Sequence, residues 1–401
     1  MKTRVTEDIL RHVRSLPPLP IAAQRLLSAT SDPTIDIRSL TRIIEKDQVL
    51  TARILRVANS SFYGLPRQVE TISKAVVILG LQAVRNIALR AAMLGLQRGI
   101  DGALQSHLEA FWKHAIAVAS AGQLLAIPLR LPQPEVAFVA GLLHDLGKVI
   151  LIEVLGERYV RLLDGVKHGT TPLHVREQVA FGITHTAAGC ALCEHWKIPP
   201  QLTRVVAAHH TPVDPNGAAS PEDMLVLTVR VANELAKIAQ IGSSGNPYVE
   251  LGSFGVVSRH ARQEALQEVL QALPAKVRTI EAMFVDGPQE ETSAAEQTDP
   301  ALFGACLTTP ETIDVVALAL RERGCSLVSI EEVLPGEPAV VGVIADGSLP
   351  LVLQERLTRQ GVPLLNLSSR REGGPSPCHS VNVKSLHTWI SNTLMRAQST
   401  P

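Results

Sequence analysis

Aromatic residues make up only 3% of this chain and charged residues 19%, against the ~25% usual for charged residues in globular proteins. With so few rings available, Ala, Leu and Val must fill the interior, as they do between packed helices. The charges cancel, 38 basic against 38 acidic, which removes any global reason to expect a nucleic acid or a membrane surface as partner. The five cysteines, at positions 190, 193, 306, 325 and 378, are scattered and odd in number, which argues against a disulfide framework and fits a reduced, cytoplasmic protein. No uncharged apolar run reaches the ~18–20 residues of a membrane span. The segment Ala75–Leu96 is broken by Arg85 and Arg90, and Met1-Lys-Thr-Arg4 leads into a charged helix rather than an apolar signal segment. The expectation is a protein that does not enter a membrane. Its 401 residues leave room for two or three domains of ~100–200 residues.

What is present is concentrated at Gly141-Leu-Leu-His144-Asp145-Leu-Gly-Lys148. It lies in a nearly all-apolar run from Val136 to Leu155, the pattern of a helix buried on every side. On one helix, His144, Asp145 and Lys148 would share a single ~100° arc with Gly141. A buried polar stripe needs partners or a metal. The candidates are His114, His185, His209, His210 and Asn233. The plainer alternative is an i,i+3 ion pair between Asp145 and Lys148 with a core histidine on a backbone carbonyl.

From the N-terminus to about residue 105 the pattern is helix after helix, broken at Leu16-Pro-Pro-Leu-Pro20 and at Gly80. Asp36 can cap a helix over Ile37–Lys46, and a helix from Gln48 ends near Asn59. Residues 1–100 carry fifteen Lys and Arg against seven Asp and Glu, a surplus of eight that reads as a solvated basic face or as a docking surface for an acidic or phosphate-bearing partner. Residues 106–285 are again helical, with Thr184 placed to cap a helix that starts at His185. Cys190-Ala-Leu-Cys193 near His195 has the spacing of a zinc or redox pair, but one CxxC without a second is better explained by small side chains on a packed helix. Residues 286–300 mix Gly, Pro, Glu, Ser and Thr as a flexible linker does. Residues 301–401 alternate strand and helix, which implies a small parallel sheet covered by helices.

Several of these pieces together resemble the HDOD family, the HD-related output domains of bacterial signalling proteins. They are Leu16-Pro-Pro-Leu-Pro20, Arg53-Ile-Leu-Arg-Val-Ala-Asn59-Ser-Ser-Phe-Tyr-Gly64, Ala75–Gly80, Phe111-Trp-Lys-His114, the segment from Gly141 to Lys148, Phe181-Gly-Ile-Thr-His185, Trp196-Lys-Ile-Pro199, His209-His210 and Val231-Ala-Asn233. They follow the family's order over most of residues 1–240. The resemblance implies an all-α fold that joins an N-terminal helical bundle (1–105) to an HD-phosphohydrolase-like bundle (106–285).

It also implies a chemistry. Catalytic HD enzymes hold a divalent metal, which activates water against a phosphate ester, on positions matching His114, His144, Asp145 and, in place of their aspartate, Asn233. His185, His209 and His210 match further ligands of two-metal HD phosphodiesterases, and Lys148 is placed either to bind phosphate in catalysis or to pair with Asp145. Fe, Mn, Zn and Mg are the candidate ions. An amide at 233 is a poorer ligand for a hard cation than a carboxylate, and no Gly-Tyr-Pro segment follows His210 as it does in cyclic-di-GMP phosphodiesterases.

The order of the last hundred residues is similar to a receiver domain, with Asp346-Gly-Ser-Leu-Pro350 where a receiver carries its phospho-acceptor. The acidic pair that holds Mg²⁺ in receivers is here Thr308-Thr309. The expectation is a degenerate receiver that binds partners or dimerises, with Asp346 a turn residue rather than a phosphosite. Two functions follow from the sequence. One is a bacterial cytoplasmic signalling protein whose HDOD domain binds a partner protein or small ligand without catalysis. The other is a metal-dependent phosphohydrolase acting on a cyclic dinucleotide or another nucleotide. Specific DNA binding ranks third, since the family motif already explains Arg53 and Arg56.

Overall fold

The computed structural model describes residues 2–28, 37–60, 68–96, 103–167, 171–211, 220–250, 252–257 and 260–282. Beyond them it describes residues 301–306, 316, 320, 325–329, 342–345, 364–366, 380–382, 386, 389–390 and 393. Asp36, the Ser61–Gly64 end of the Asn59 motif, the linker 286–300, Thr308-Thr309 and Asp346 lie outside the described residues.

Helix α1 (Lys2–Ser15) buries Ile9 and Val13 and stops where the prolines forbid continuation. Backbone carbonyls freed in the extended Leu16–Pro20 segment are taken up far away in sequence. His195 Nε2 donates to Leu16 O at 2.9 Å and Trp196 Nε1 to Pro17 O at 3.1 Å. The helices α2 (Ile21–Ser28), α3 (Ile37–Glu45), α4 (Gln48–Ala58) and α5 (Ile72–Leu96) then pack on one another. Asp47 caps α4 by accepting from the Leu50 N–H at 3.0 Å. Asn59 closes it: its amide donates to Leu55 O and Val69 O, both at 2.9 Å, and its Oδ1 accepts from the Val69 N–H at 2.7 Å. One side chain thus clamps both ends of the 60–69 connection. Gly80, at φ 78° and ψ 157°, breaks α5 in two, a conformation glycine adopts without a Cβ penalty.

The second bundle holds α6 (Ala103–Ala126), α7 (Pro134–Leu143), α8 (Leu146–Leu155), α9 (Glu157–Lys167), α10 (Leu173–Phe181), α11 (His185–His195), α12 (Pro200–Ala208) and α13 (Pro221–Ile238). Helix α6 packs on both α7 and α13, which also touch each other, α11 packs on α8, and α1 joins this bundle by packing on α8, α10 and α11. A single buried apolar cluster runs through both bundles. The capping role read for Thr184 holds: its hydroxyl accepts from the Ala187 N–H at 3.2 Å.

The single helix expected through the His144-Asp145 doublet is two helices. His144 is the residue after α7, and Asp145, at φ −104° and ψ 14°, is the residue before α8. Two close approaches account for the break. A Cβ on Gly141 would lie 2.7 Å from Ala119 Cα in α6, and one on Gly147 would lie 1.8 Å from the His185 carbonyl oxygen at the start of α11. Each glycine presses its helix onto a different neighbour, and the doublet takes up the angle between them. Gly147→Ala is therefore expected to destabilise by about 2–3 kcal/mol, the upper part of the range for overpacking, because backbone rather than a flexible side chain blocks the methyl. A urea melt of the variant checks this, and a loss below about 1 kcal/mol would show that α8 and α11 can separate.

Past α13 the chain forms a loop and a short strand, β1 (Tyr248–Glu250), then α14 (Gly252–Val257) and α15 (Gln263–Ala282), which lies against α6. Three residues are too few to show alternation, so β1 was not foreseen. The strands β2 (Ala301–Cys306), β3 (Cys325–Ser329), β4 (Gly342–Ala345) and β5 (Leu364–Asn366) pair in parallel in the order β3-β2-β4-β5. The last strand, β6 (Ser380–Asn382), pairs antiparallel with β1, Glu250 opposite Ser380 and Tyr248 opposite Asn382. Among the described residues no helix is long and apolar enough to cross a membrane.

Candidate metal centre

The site is assembled from the ends of helices. His114 comes from α6, Asn233 from the middle of α13, His144 and Asp145 from the α7–α8 break, His185 from the first position of α11, and His209-His210 from the end of α12. The ring centroids of the imidazoles follow one another at 4.2–5.6 Å, from His114 through His144, His209 and His185 to His210 and His174.

Asp145 stands at the centre with its two oxygens in different roles. Oδ2 accepts from Lys148 Nζ at 2.5 Å and lies 3.2 Å from His144 Nε2. Lys148, itself buried, also donates to the Ser244 carbonyl at 2.7 Å, so the lysine is held by two acceptors. The i,i+3 ion pair is therefore present. Asp145 Oδ1 has no hydrogen-bond partner and lies 3.4 Å from His185 Nε2 and 3.5 Å from His209 Nε2, both of which are also buried without partners.

The other nitrogen of each ring explains why these atoms face inward. His144 Nδ1 donates to Gly141 O at 2.7 Å, His209 Nδ1 to Val206 O at 3.0 Å, and His185 Nδ1 to Glu177 Oε2 at 2.7 Å. With Nδ1–H committed, Nε2 is the nitrogen left for a ligand, the arrangement metal-binding histidines use. Donors ~2.1 Å from a tetrahedral ion sit about 3.4 Å from one another. The spacings from Asp145 Oδ1 match that edge and are too long for good hydrogen bonds.

Burial and charge act together here. Burial raises the Asp145 carboxyl, but His144 and Lys148 beside it outweigh this and hold it well below the usual carboxylate range. Glu177 is also held down against its burial by His185 and by the Tyr159 hydroxyl, which donates at 2.5 Å. Burial drives His209 and His114 down to about 3, the latter helped by His144, and carries His210 well below its ordinary value. Burial thus works against a proton on His114, His209 and His210 beside two carboxyls held below their ordinary range. An uncompensated buried charge is costly, and a cation on Asp145 Oδ1, His185 and His209 would offset it. Two imidazoles and a carboxylate suit Zn, Fe or Mn better than Mg, which prefers oxygen ligands.

All seven residues read from the sequence as ligands, and Lys148, lie in this cluster, but not as equals. His114 Nε2 donates to Asn233 Oδ1 at 2.9 Å, so those two satisfy each other, and His114 forms a second group of donors with His144 and Asp145. His210 is shared between the Asp145 group and a third, outer one. Glu177, Tyr159 and Ser244 were missed. Glu177 had a signal: it falls on the buried stripe Leu173, Glu177, Phe181 of α10, where an acid has no reason to be unless it is used. Ser244 contributes only a carbonyl and had none. The CxxC is a packing feature: Cys190 and Cys193 are free thiols, and burial pushes Cys193 up to about 12, far from a thiolate ligand.

Residues 16–212 match the HDOD domain family. The fold is shared with an HDOD domain protein of Geobacter sulfurreducens, 26% identical, with a TM-score of 0.57 over 71% of this chain and 99% of that one. It is shared too with a protein of Marinobacter aquaeolei VT8 assigned to signal transduction, 23% identical, with a TM-score of 0.53 over 70% of this chain and 64% of that one. An uncharacterised protein of Treponema pallidum (strain Nichols) is 23% identical over 238 residues, 58% of this chain and 44% of that protein, so this chain spans less than half of that relative's length.

Proposed function

Residues 16–212 are an HDOD domain, and from that premise we propose that the chain is a bacterial cytoplasmic signalling regulator. Its HDOD domain binds a partner protein or small ligand, and its histidine–aspartate cluster holds a divalent metal in a structural or sensing role, without turnover. The observation that carries this reading is how deeply the cluster is enclosed. Asp145 is the most exposed of Asp145, His144, Lys148, His185 and His209, at 7%, and the four others are at 0–1%. Among the described residues, Asp145 Oδ1 is buried and not open to a phosphate ester. Lys148, which would be the phosphate-binding cation, is occupied by Asp145 and Ser244. The bacterial relatives and the signalling assignment of the Marinobacter protein support the same class.

The C-terminal region serves this reading as a degenerate receiver that binds a partner or a second copy. Its strand order β3-β2-β4-β5 supports that, since doubly wound sheets of this order turn about their first strand. A second reading, a metal-dependent phosphohydrolase acting on a cyclic or linear nucleotide, is favoured by one observation: Asp145 Oδ1, His185 Nε2 and His209 Nε2 converge without partners.

Elemental mass spectrometry on protein purified without chelator or nickel decides between them when joined to a nucleotide-hydrolysis screen of the metal-loaded protein. The expected result is at least one transition-metal ion per chain, no hydrolysis, and one ion fewer in His209→Ala than in the unaltered protein. Hydrolysis that vanishes in His209→Ala would establish the phosphohydrolase. No metal uptake from any of Fe, Mn or Zn would remove the metal from both readings.

A further inference from the structure

Next to the Asp145 group, and sharing His210 with it, lies a set of donors whose other two members the reading above does not use. His174 comes from α10, His210 follows α12, and Glu250 ends β1, and their ligand atoms all lie within 4.8 Å of one another. Unlike the Asp145 group, all three are only partly buried. From this geometry we infer that His174, His210 and Glu250 form a second metal site at the outer end of the histidine file, selective for a zinc-like divalent ion and open at its fourth position.

Three features of the cup support this. His210 Nδ1 and Glu250 Oε1 are 3.6 Å apart, too far to be a hydrogen bond and close to the ~3.4 Å edge of a tetrahedral donor set. His174 Nδ1 is buried with no hydrogen-bond partner, in a side chain whose neighbour is the stacked His210 ring at 4.6 Å. The carboxylate is also aimed. Arg230 donates to Glu250 Oε2 at 2.9 Å, which leaves Oε1 turned to the histidines. The Glu250 backbone N–H donates to Glu234 Oε2 at 3.0 Å, and Lys237 binds both Glu234 and the Tyr248 carbonyl, fixing β1 from below. These are the outer contacts that orient a ligand in a metal site. Two imidazoles with one carboxylate and a vacant corner is a ligand set zinc takes.

The two sites divide the available donors. Asp145 Oδ1, His185 and His209 remain for the inner ion, while His210, whose Nδ1 faces Glu250, serves the outer one. Helix α10 contributes to both, Glu177 behind His185 and His174 to the outer cup, one turn apart. The outer site does not depend on whether the inner one is filled.

Zinc stoichiometry of the full chain, by native mass spectrometry and calorimetry, tests the inference. His174→Ala and Glu250→Gln are each expected to lower the bound zinc by about one ion per chain relative to wild type, and His209→Ala to leave that ion in place. A footprint independent of mutation uses diethyl pyrocarbonate: His174 should be modified in the metal-free protein and protected by zinc. Equal stoichiometry in wild type, His174→Ala and Glu250→Gln, or zinc without effect on His174 modification, overturns the outer site. Loss of all zinc in His209→Ala alone, with His174→Ala unchanged, leaves the inner centre standing and refutes only the outer one.

Discussion

Asp145→Ala is expected to lower stability by about 3–5 kcal/mol, the cost of leaving a buried charge without its counter-ion. The reason lies in what remains. Lys148 is fully enclosed, and without the carboxylate its ammonium keeps, among the described residues, the Ser244 carbonyl as its one hydrogen-bond acceptor beside the face of the Phe111 ring. The same reasoning predicts strong non-additivity. Asp145→Ala combined with Lys148→Met removes both charges and replaces them with apolar surface, which in other proteins is close to neutral, so the double variant should recover most of the loss. Equilibrium urea unfolding of the two single variants and the double, in metal-free buffer, measures the coupling. Single and double losses that simply add, or an Asp145→Ala loss below about 1 kcal/mol, would mean that solvent reaches Lys148 and that the enclosed picture of the site is wrong.

Acid should have an effect of similar size on the metal-free protein: from about pH 7.5 to pH 5.5 stability is expected to fall by about 3 kcal/mol. His114 and His209 have folded values of about 3 against ordinary values of 6.5. In that interval the unfolded chain binds the extra protons, so their contribution is complete above 6.5 and is lost progressively as pH falls toward 3. One unit below 6.5 the loss is about 1.4 kcal/mol for each ring. Asp145 and Glu177, both held below their ordinary values, add a further loss at lower pH, as the pH falls through their folded values. Urea midpoints at a series of pH values report this directly. Zinc should flatten the curve at its upper end, because an ion on His209 competes with the proton. A stability that stays level between pH 7.5 and 5.5 would show that the histidines can charge without unfolding.

The sequence made the membership of the cluster legible and its division of labour illegible. A histidine, a doublet and a lysine in an apolar run are visible because charged residues there need an explanation. Asn59 could be read as a motif residue, but its bonds to Val69 across the 60–69 connection depend on where the chain returns. The break between α7 and α8 was hidden because the run Val136–Leu155 has no proline at the doublet. The cause is tertiary, two glycines seated on two different helices. His174 and Glu250 had no signal at all: they lie 76 residues apart (250 minus 174) and meet only because β1 turns back over α13. For the last hundred residues, β2 to β5 fall where alternation put them, whereas β6 has too few residues for a period to show.

The pairing of β1 with β6 gives the chain a property that neither end has alone. Glu250 sits directly opposite Ser380, so the residue that closes the outer cup shares its backbone ladder with a segment 130 residues later. Free-energy coupling between two sites is reciprocal. An event that tightens this three-residue ladder steadies the carboxylate beside His210, and a cation held there favours the ladder by the same factor. A cation in the proposed outer cup and the β1–β6 ladder are thus coupled through one strand, which joins the histidine file to a segment far along the chain.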